Sequence, residues 1–369
     1  MDTITLVLAG DVMTGRGIDQ VMPEPLPPVL YEPWVHDARE YVRLAEKVNG
    51  AIPAPVDMAY VWGEALAEMD RLAADARIVN LETAVTRGGT PWPRKGIHYR
   101  MNPAHVGCLL AARIDACSLA NNHVLDWGAQ GLDDTLATLH AAGVLTAGAG
   151  ADLHRAQAPA VLALPGDARL LLFALGLPTS GVPPDWAAQA RRSGIDFLPR
   201  LDEAAAQGLA DRVRLHRRGG DVAVISLHWG ENWVDEVPAQ QRWFAHRLID
   251  LGAADVVHGH SSHHSLPIEV HAGKLVLHGC GDLVNDYEGI TPHTRQRSDL
   301  GCLYGVTLDR ADGRLAGLEI VPLQLRRFQL RHPSPAVRQW LYSLLAPACR
   351  ALGTQIEPSS QGHWRLRWD

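Results

Sequence analysis

Five short apolar runs along the chain each end on polar residues. The runs cover residues 4–9, 78–79, 117–120, 222–227 and 255–257. They are rich in Val, Ile and Leu and do not alternate regularly with polar residues, which is typical of strands buried on both faces. Because ligands of open α/β sheets gather at the carboxyl ends of such strands, we expect the five polar clusters to form one site.

The residues after these runs carry carboxylate, amide and imidazole groups, all of which can bind metal ions. They are Asp11, Asn80, Glu82, Asn121, Asn122, His123, His228, His258, His260, His263 and His264. A single residue of this kind is more often structural than functional. Five such strand ends together favour one metal site assembled from distant parts of the chain.

Residues 16–75 interrupt this pattern with a Pro-rich stretch, 22–28, and two helical stretches, 35–48 and 59–74. We interpret the segment as an insertion beside the site, within a single domain that spans residues 1–330. Its aromatic side chains can either line a pocket for an apolar or aromatic ligand or pack on the core. These side chains are Tyr31, Trp34, Tyr41, Tyr60 and Trp62.

The later part of the chain predicts three antiparallel hairpins. They pair residues 160–164 with 170–175, residues 266–270 with 274–278, and residues 302–308 with 315–321. Strands that alternate with helices, followed by such hairpins, indicate an α/β fold with two sheets inside and helices outside. Residues 331–369 are expected to form a C-terminal helical tail packed on the domain, with an amphipathic helix at 336–352.

Composition narrows the possible functions. The chain has 369 residues, of which 47% are hydrophobic, as in a globular protein with a large core. A net charge of −7 without a basic stripe argues against nucleic-acid binding and favours a small or peptidic substrate. The first residues lack the basic region of an export signal, and no apolar stretch reaches the roughly eighteen residues of a membrane span. We therefore expect a cytoplasmic protein that does not bind a membrane.

Five motifs carry a resemblance to a known family. They are Gly10-Asp11-Val12-Met13 with Arg16, Asn80-Leu81-Glu82, Asn121-Asn122-His123 with Asp126 and Gly128, His228-Trp229-Gly230, and Gly259-His260-Ser261-Ser262-His263. In this order they resemble the calcineurin-like metallophosphoesterase superfamily, and more closely its CapA-type branch, which is associated with poly-γ-glutamate capsules. The resemblance spans about residues 4–290. It implies a four-layer αββα sandwich with the metal site at the strand ends.

The chain departs from the superfamily pattern at two metal positions. Met13 stands where a His ligand of the first ion is expected, and Glu82 stands where a bridging Asp is expected. Because a thioether is a poor ligand for a hard divalent ion, we expect the first ion to be lost and one ion to remain. The resemblance implies that Glu82, Asn122, His228 and His260 hold it, with Asp11 as a further candidate ligand. This donor set suits Ca²⁺, Mn²⁺, Zn²⁺ or Fe²⁺, and no organic cofactor is implied.

The loss of the first ion leaves two acid–base pairs. Asp11 and His263 then become neighbours without an ion between them, and His123 can pair with Asp126. Two such groups on opposite faces of one carbon can invert it, because one removes the α-proton and the other returns a proton to the opposite face. His293 is the alternative to His263 in this role.

A narrower resemblance is to metal-dependent, cofactor-independent peptide epimerases of the CapA-type branch. One of these inverts the C-terminal tryptophan of a lasso-peptide precursor, a ribosomally made peptide. The leading hypothesis is therefore a peptide epimerase, and the alternatives are a metallophosphoesterase and a non-catalytic capsule biosynthesis protein. A C-terminal carboxylate needs a cation, and Arg16, Lys95, Arg100, Arg295 and Arg297 are the candidates. Cys280 and Asp282 either pack at a strand end or support the site.

Overall fold

The computed structural model describes residues 2–290, 296–359 and 361–368. His293 and Arg295 lie outside the described residues. The strands are β1 (Thr3–Val12), β2 (Ala76–Leu81), β3 (Ala84–Val85), β4 (Arg100–Met101), β5 (Ala116–Ser118), β6 (Leu145–Ala147), β7 (Ala149–Gly150), β8 (Ala160–Ala163), β9 (Arg169–Gly176), β10 (Gly194–Ile195), β11 (Val222–His228), β12 (Val256–His260), β13 (Ile268–His271), β14 (Lys274–Leu277), β15 (Asp282–Val284), β16 (Leu300–Asp309), β17 (Leu315–Arg326), β18 (Gln329–Arg331), β19 (Thr354–Pro358) and β20 (Trp364–Trp368).

Helices connect many of these strands. The α-helices are α1 (Gly17–Val21), α2 (Arg39–Asn49), α3 (Ala65–Arg71), α4 (Gly107–Ala111), α5 (Gly128–Ala141), α6 (Leu153–Gln157), α7 (Glu203–His216), α8 (Ala239–Asp250) and α9 (Pro335–Ala351). Short 3-10 helices cover Tyr60–Trp62, Pro103–Val106, Pro178–Ser180 and Pro184–Trp186. Within the described ranges, no helix is long and apolar enough to cross a membrane.

Two large sheets form the centre of the described structure. The larger has the order β19-β20-β17-β16-β1-β2-β5-β6, with β15 beside β1 and β18 beside β17, and the smaller has the order β13-β14-β12-β11-β9-β8. Strands β1, β2, β5 and β6 run parallel to one another, as do β9, β11, β12 and β14. The carboxyl ends of β1 and β2 therefore meet at one edge of the larger sheet, and those of β11 and β12 at one edge of the smaller.

Hydrophobic residues on both faces of the strands hold the layers together. In β9, Leu170 and Leu172 belong to the core between the two sheets, whereas Leu171 and Phe173 pack on the other face, with Leu209 of α7. Successive strand residues point to opposite faces, so a continuous apolar run covers a strand that is buried on both sides. Helices α7 and α8 cover the smaller sheet, and α5 packs against β6 of the larger. The predicted α/β fold with an αββα arrangement is confirmed.

The three predicted hairpins are present as the pairs β8–β9, β13–β14 and β16–β17. The helix predicted in the tail is present as α9, but the polar segment after it forms the antiparallel strands β19 and β20. Strand β20 extends the larger sheet beside β17. Trp364 and Leu366 are buried while Arg365 and Arg367 are exposed. This alternation of buried and exposed residues is typical of a strand. The strand was not predicted from the sequence, because the charged arginines make the segment polar overall.

Candidate metal centre and active site

The ends of four strands bring their polar side chains together. Asp11 of β1 lies beside Asn80 of β2, and His228 of β11 lies beside His260 of β12. Glu82 follows β2 directly and, like these residues, is almost completely buried. Asn80 Nδ2 donates to Asp11 Oδ1 at 2.8 Å and lies 3.2 Å from Glu82 Oε2. The two sheets thus present one shared polar centre at their carboxyl edges.

The residues predicted to bind the ion lie within a few ångströms of one another. His228 Nδ1 is 2.8 Å from His260 Nδ1, and His228 Nε2 is 3.1 Å from Asn122 Oδ1 and 3.9 Å from Glu82 Oε1. His260 Nδ1 is 3.8 Å from Asp11 Oδ1. Asp11, His228 and His260 each offer a ligand atom within 4.8 Å of the others. Imidazole, carboxylate and amide oxygen together suit a first-row divalent ion or Ca²⁺.

The charge of this centre also fits a cation. Burial, followed by the charge of Asp282, raises the pKa of Asp11 to about 7. Burial and the charge of Asp11 raise the pKa of Glu82 well above its ordinary value. Burial lowers the pKa of His228 and His260 well below the ordinary range, so both rings are neutral and can offer a nitrogen lone pair to a metal ion. A cation among these groups would offset the repulsion between the carboxylates.

Asp282 forms a second group with Asp11. Asp11, His263 and Asp282 each offer a ligand atom within 4.8 Å of the others, so Asp11 belongs to both groups found in the described part of the chain. Met13 is buried, and its sulfur lies 3.7 Å from the Tyr287 hydroxyl. Asp282 was not among the predicted ligands. No sequence pattern predicted this position, because the short strand β15 brings Asp282 beside Asp11 only in the folded chain.

His263 lies within 4.8 Å of Asp11, as the sequence interpretation expected, but its hydrogen-bond partner is a different carboxylate. The imidazole Nδ1 of His263 lies 2.8 Å from Asp282 Oδ1, and Asp282 rather than Asp11 orients the ring. Asn285 Nδ2 donates to the other carboxylate oxygen of Asp282 at 2.9 Å. Burial would lower the pKa of His263, but the charge of Asp282, its hydrogen bond and the charge of Asp11 raise it. Trp233 stacks on this ring, with centroids 5.2 Å apart.

His123 and Asp126 form the pair that the sequence predicts. His123 Nδ1 lies 2.6 Å from Asp126 Oδ2, which also accepts a hydrogen bond of 2.6 Å from the backbone N–H of Tyr99. The other ring nitrogen, Nε2, is 3.8 Å from Glu82 Oε1, so His123 borders the metal centre on its Glu82 side. Burial and the charge of Lys95 lower the pKa of His123 to about 4.

The cations predicted to bind substrate lie in different environments. Lys95 contacts both members of the His123–Asp126 pair. Arg16 is buried against Glu32 and Asp286, between aromatic rings. Arg100 stacks over the ring of Trp127, and Arg297 bonds to Asp299. Lys95 is therefore the predicted cation that the structure brings to an acid–base pair, and Arg295 lies outside the described residues.

A cavity of about 830 Å³ opens beside His263. Trp34 and Tyr41 of the insertion line it, together with Trp233, Tyr287 and Ile290. The other aromatic residues predicted there pack elsewhere. Tyr31 contacts Trp127, the hydroxyl of Tyr60 donates to a backbone carbonyl, and Trp62 is completely buried in the core. The insertion thus supplies one aromatic wall of the cavity. The cavity extends to His263, which belongs to the second group of candidate ligands, with Asp11 and Asp282.

Comparison with known proteins adds relatives and a family. Residues 5–287 match the family model described as bacterial capsule synthesis protein PGA_cap. Proteins from two strains of Mycobacterium tuberculosis, both named probable polyglutamine synthesis accessory protein, are 46% identical over 361 residues, which cover 96% of this chain and 93% of theirs. The PGA biosynthesis protein CapA of Bacillus subtilis is 28% identical over 198 residues, 52% of this chain and 48% of its own. A crystal structure titled as a novel phosphatase from Mycoplasma pneumoniae shares 14% identity at a TM-score of 0.47, covering 94% of this chain and 100% of that one.

Proposed function

The chain belongs to the bacterial capsule synthesis protein PGA_cap family, and we propose that within it the protein is a metal-dependent peptide epimerase. It would invert the Cα of a peptide residue without an organic cofactor. The substrate would be the C-terminal residue of a peptide, as in lasso-peptide precursors. This proposal depends on the arrangement of two acid–base pairs around the metal centre.

The observation that carries the proposal is the presence of two similar histidine–carboxylate pairs. His123 bonds to Asp126, and His263 bonds to Asp282, in each case through Nδ1. A carboxylate at Nδ1 fixes the ring and leaves Nε2 to exchange a proton with a substrate. His123 borders the centre at Glu82, whereas His263 shares a group with Asp11. A phosphoesterase needs one acid for its leaving group, whereas inversion by a two-base route needs two such groups.

The proposed reaction exchanges one C–H bond for another. One histidine takes the α-proton as a base, the electron pair of the broken bond moves into the adjacent carbonyl group as an enolate, and the other histidine then donates a proton to the opposite face of the carbon. The reaction consumes no oxidant or reductant. Glu82, Asn122, His228 and His260, with Asp11, would hold a divalent cation. When bound, this cation supplies positive charge beside the developing enolate.

The cavity beside His263 supports a substrate with a large apolar side chain. Its walls include the rings of Trp34, Trp233 and Tyr287. The cation Arg16 also lines it but is already bonded to Glu32 and Asp286. We assign the terminal carboxylate of the substrate to Lys95, which lies beside His123 and also binds Asp126. The net charge of −7 further disfavours a polyanionic substrate.

Two other functions have support of their own. The second group, in which Asp11 is shared with His263 and Asp282, would allow two ions at one carboxylate, an arrangement used in phosphoester hydrolysis. The names of the relatives favour an accessory role in polyglutamine or PGA synthesis. Inversion of glutamyl residues would make the proposed epimerase activity part of such an accessory role in PGA synthesis.

Incubation in D₂O separates these functions. The metal-loaded protein is mixed with peptides that end in L-tryptophan or L-glutamate, and in parallel with an aryl phosphate. We expect incorporation of one deuteron at Cα, detected by mass spectrometry, and a D-residue in the product. Both should be lost after chelation of the metal. Phosphate release without deuteration would favour the phosphoesterase. The absence of both reactions would favour a non-catalytic role in polymer synthesis.

A further inference from the structure

A line of hydrogen bonds runs from the metal centre into the space between the sheets. His260 Nε2 lies 2.8 Å from Ser226 Oγ, and Ser226 Oγ lies 3.1 Å from His258 Nδ1. His258 Nε2 then lies 2.9 Å from the backbone carbonyl oxygen of Ala9 in β1. All three side chains are completely buried. We call Ser226, His258 and the Ala9 carbonyl the buried relay.

The Ala9 carbonyl fixes the direction of every hydrogen bond in the relay. His258 is buried and has no carboxylate contact among the described residues, so its ring is neutral and carries one proton. A carbonyl oxygen can only accept, so this proton is on Nε2, and Nδ1 accepts from the Ser226 hydroxyl. The single proton of that hydroxyl is then used, and Ser226 Oγ must accept from His260 Nε2–H.

The relay therefore determines which nitrogen of His260 can bind a metal ion. A neutral His260 that donates from Nε2 has its lone pair on Nδ1. This nitrogen is the one that lies 2.8 Å from His228 Nδ1 and 3.8 Å from Asp11 Oδ1. A proton on Nδ1 instead would face the centre and remove the ligand. The relay excludes that tautomer, because Ser226 Oγ accepts a hydrogen bond from Nε2–H and so keeps the proton on Nε2.

We infer that Ser226 and His258 are positioning residues that hold His260 in the tautomer that binds the metal ion through Nδ1. The inference uses the metal centre of the proposed function but not its epimerase chemistry. Removing the hydroxyl of Ser226 would leave Nε2–H buried without an acceptor, which is costly. Transfer of this proton to Nδ1, towards Asp11, relieves that cost and removes the ligand. Loss of a partner that orients a ligand typically weakens metal affinity about 10–100-fold.

The test measures metal affinity rather than activity. Mn²⁺ and Zn²⁺ dissociation constants are determined by competition with a chelating indicator for the wild type, Ser226→Ala, His258→Leu and His258→Gln. The matched control is Ser118→Ala, which removes a buried serine hydroxyl with no hydrogen-bond partner among the described residues. We expect affinity to fall about 10–100-fold in Ser226→Ala and His258→Leu and to stay unchanged in the control. The amide of glutamine can donate to Ala9 and accept from Ser226, so His258→Gln should retain most of the affinity.

Two further measurements separate positioning from general packing. The thermal unfolding midpoint in the presence of a chelator reports the stability of the metal-free fold. The double variant Ser226→Ala/His258→Leu should bind the metal ion no more weakly than either single variant, because each substitution breaks the same relay. In the metal-free wild type, ¹⁵N NMR of the histidine rings should show His260 protonated at Nε2. Wild-type affinity in Ser226→Ala, or His260 protonated at Nδ1 in the wild type, would overturn the inference. Either result would leave the deuterium test of the epimerase untouched.

Discussion

Asp11 and Asp282 lie at paired positions on the parallel strands β1 and β15, so two buried carboxylates face the same polar centre. The charge of Asp282 contributes to the raised pKa of Asp11. Asp282 also orients His263, so the same residue borders the metal centre and one acid–base pair. This dual position makes the number of bound ions the first question for experiment.

Metal content should be close to one tightly held divalent ion per chain. Met13 cannot replace a histidine ligand, whereas Glu82, Asn122, His228 and His260 offer a complete set for one ion. Elemental analysis of the purified, dialysed protein measures this ratio. Asp282→Asn should leave the ratio unchanged, because Asp282 lies outside that set. Two ions per chain that fall to one in Asp282→Asn would contradict the prediction.

Substitutions should separate metal binding from proton transfer. His228→Ala or Glu82→Ala should lower both metal content and epimerisation, because each removes a ligand. His123→Ala should keep the metal, since its Nε2 is 3.8 Å from Glu82 and its Nδ1 bonds Asp126, but its activity should fall by about 10²–10⁴-fold. Metal analysis and deuterium incorporation are measured on the same samples. The exposed His140 on α5 provides the control His140→Ala, and loss of metal in His123→Ala would show that its role is misassigned.

The two faces of the substrate carbon should depend on different histidines. His123→Ala and His263→Ala should each abolish net inversion, yet each should still exchange the α-proton of the isomer whose hydrogen faces the remaining base. Peptides with an L- or a D-terminal residue are incubated separately in D₂O, and deuterium uptake is compared. Opposite isomer preferences in the two variants are expected. Equal loss with both isomers in both variants would indicate one base, and full activity in His263→Ala would point to His293 as the second base.

A cluster away from the site should control acid stability. Burial would raise the pKa of Glu269, but hydrogen bonds from His278, Arg242 and His246 lower it overall. A lowered carboxyl pKa stabilises the fold above the unfolded value of about 4.5, and this contribution is lost as the pH falls towards the folded value. Glu269→Gln should therefore cost on the order of 2 kcal/mol at pH 7, a figure reduced for the partial exposure of Arg242, and less at pH 3.

Urea unfolding at both pH values measures this difference. The matched control is Glu203→Gln, because Glu203 forms a similar two-oxygen contact with Arg247 but is exposed to solvent. Its substitution should change stability little at either pH. A Glu269→Gln variant whose deficit is the same at pH 3 and pH 7 would show that the ion pairs do not cause the stabilisation.

The sequence predicted the elements of the site better than the contacts between them. The buried runs before Asp11 and His228 have a clear pattern, so their strands and the α/β arrangement could be inferred. Asp282 could not be placed, because β15 has three residues and pairs with a strand about 270 positions earlier. The partner of His263 depends on that pairing. Arg16 was likewise a candidate to bind the substrate carboxylate, because Glu32 and Asp286 contact it only in the folded chain.

The place of β1 in the larger sheet has a consequence for folding. Its neighbour β16 pairs Leu6 with Val306, positions about 300 residues apart. At the usual rate of synthesis of about 5–20 residues per second, β1 waits roughly 15–60 s for this partner to be made. Contacts of such long range are also slow to form. The candidate ligand Asp11 and the Ala9 carbonyl share this strand, so the strand that carries them gains its β16 neighbour only after about 300 further residues have been made.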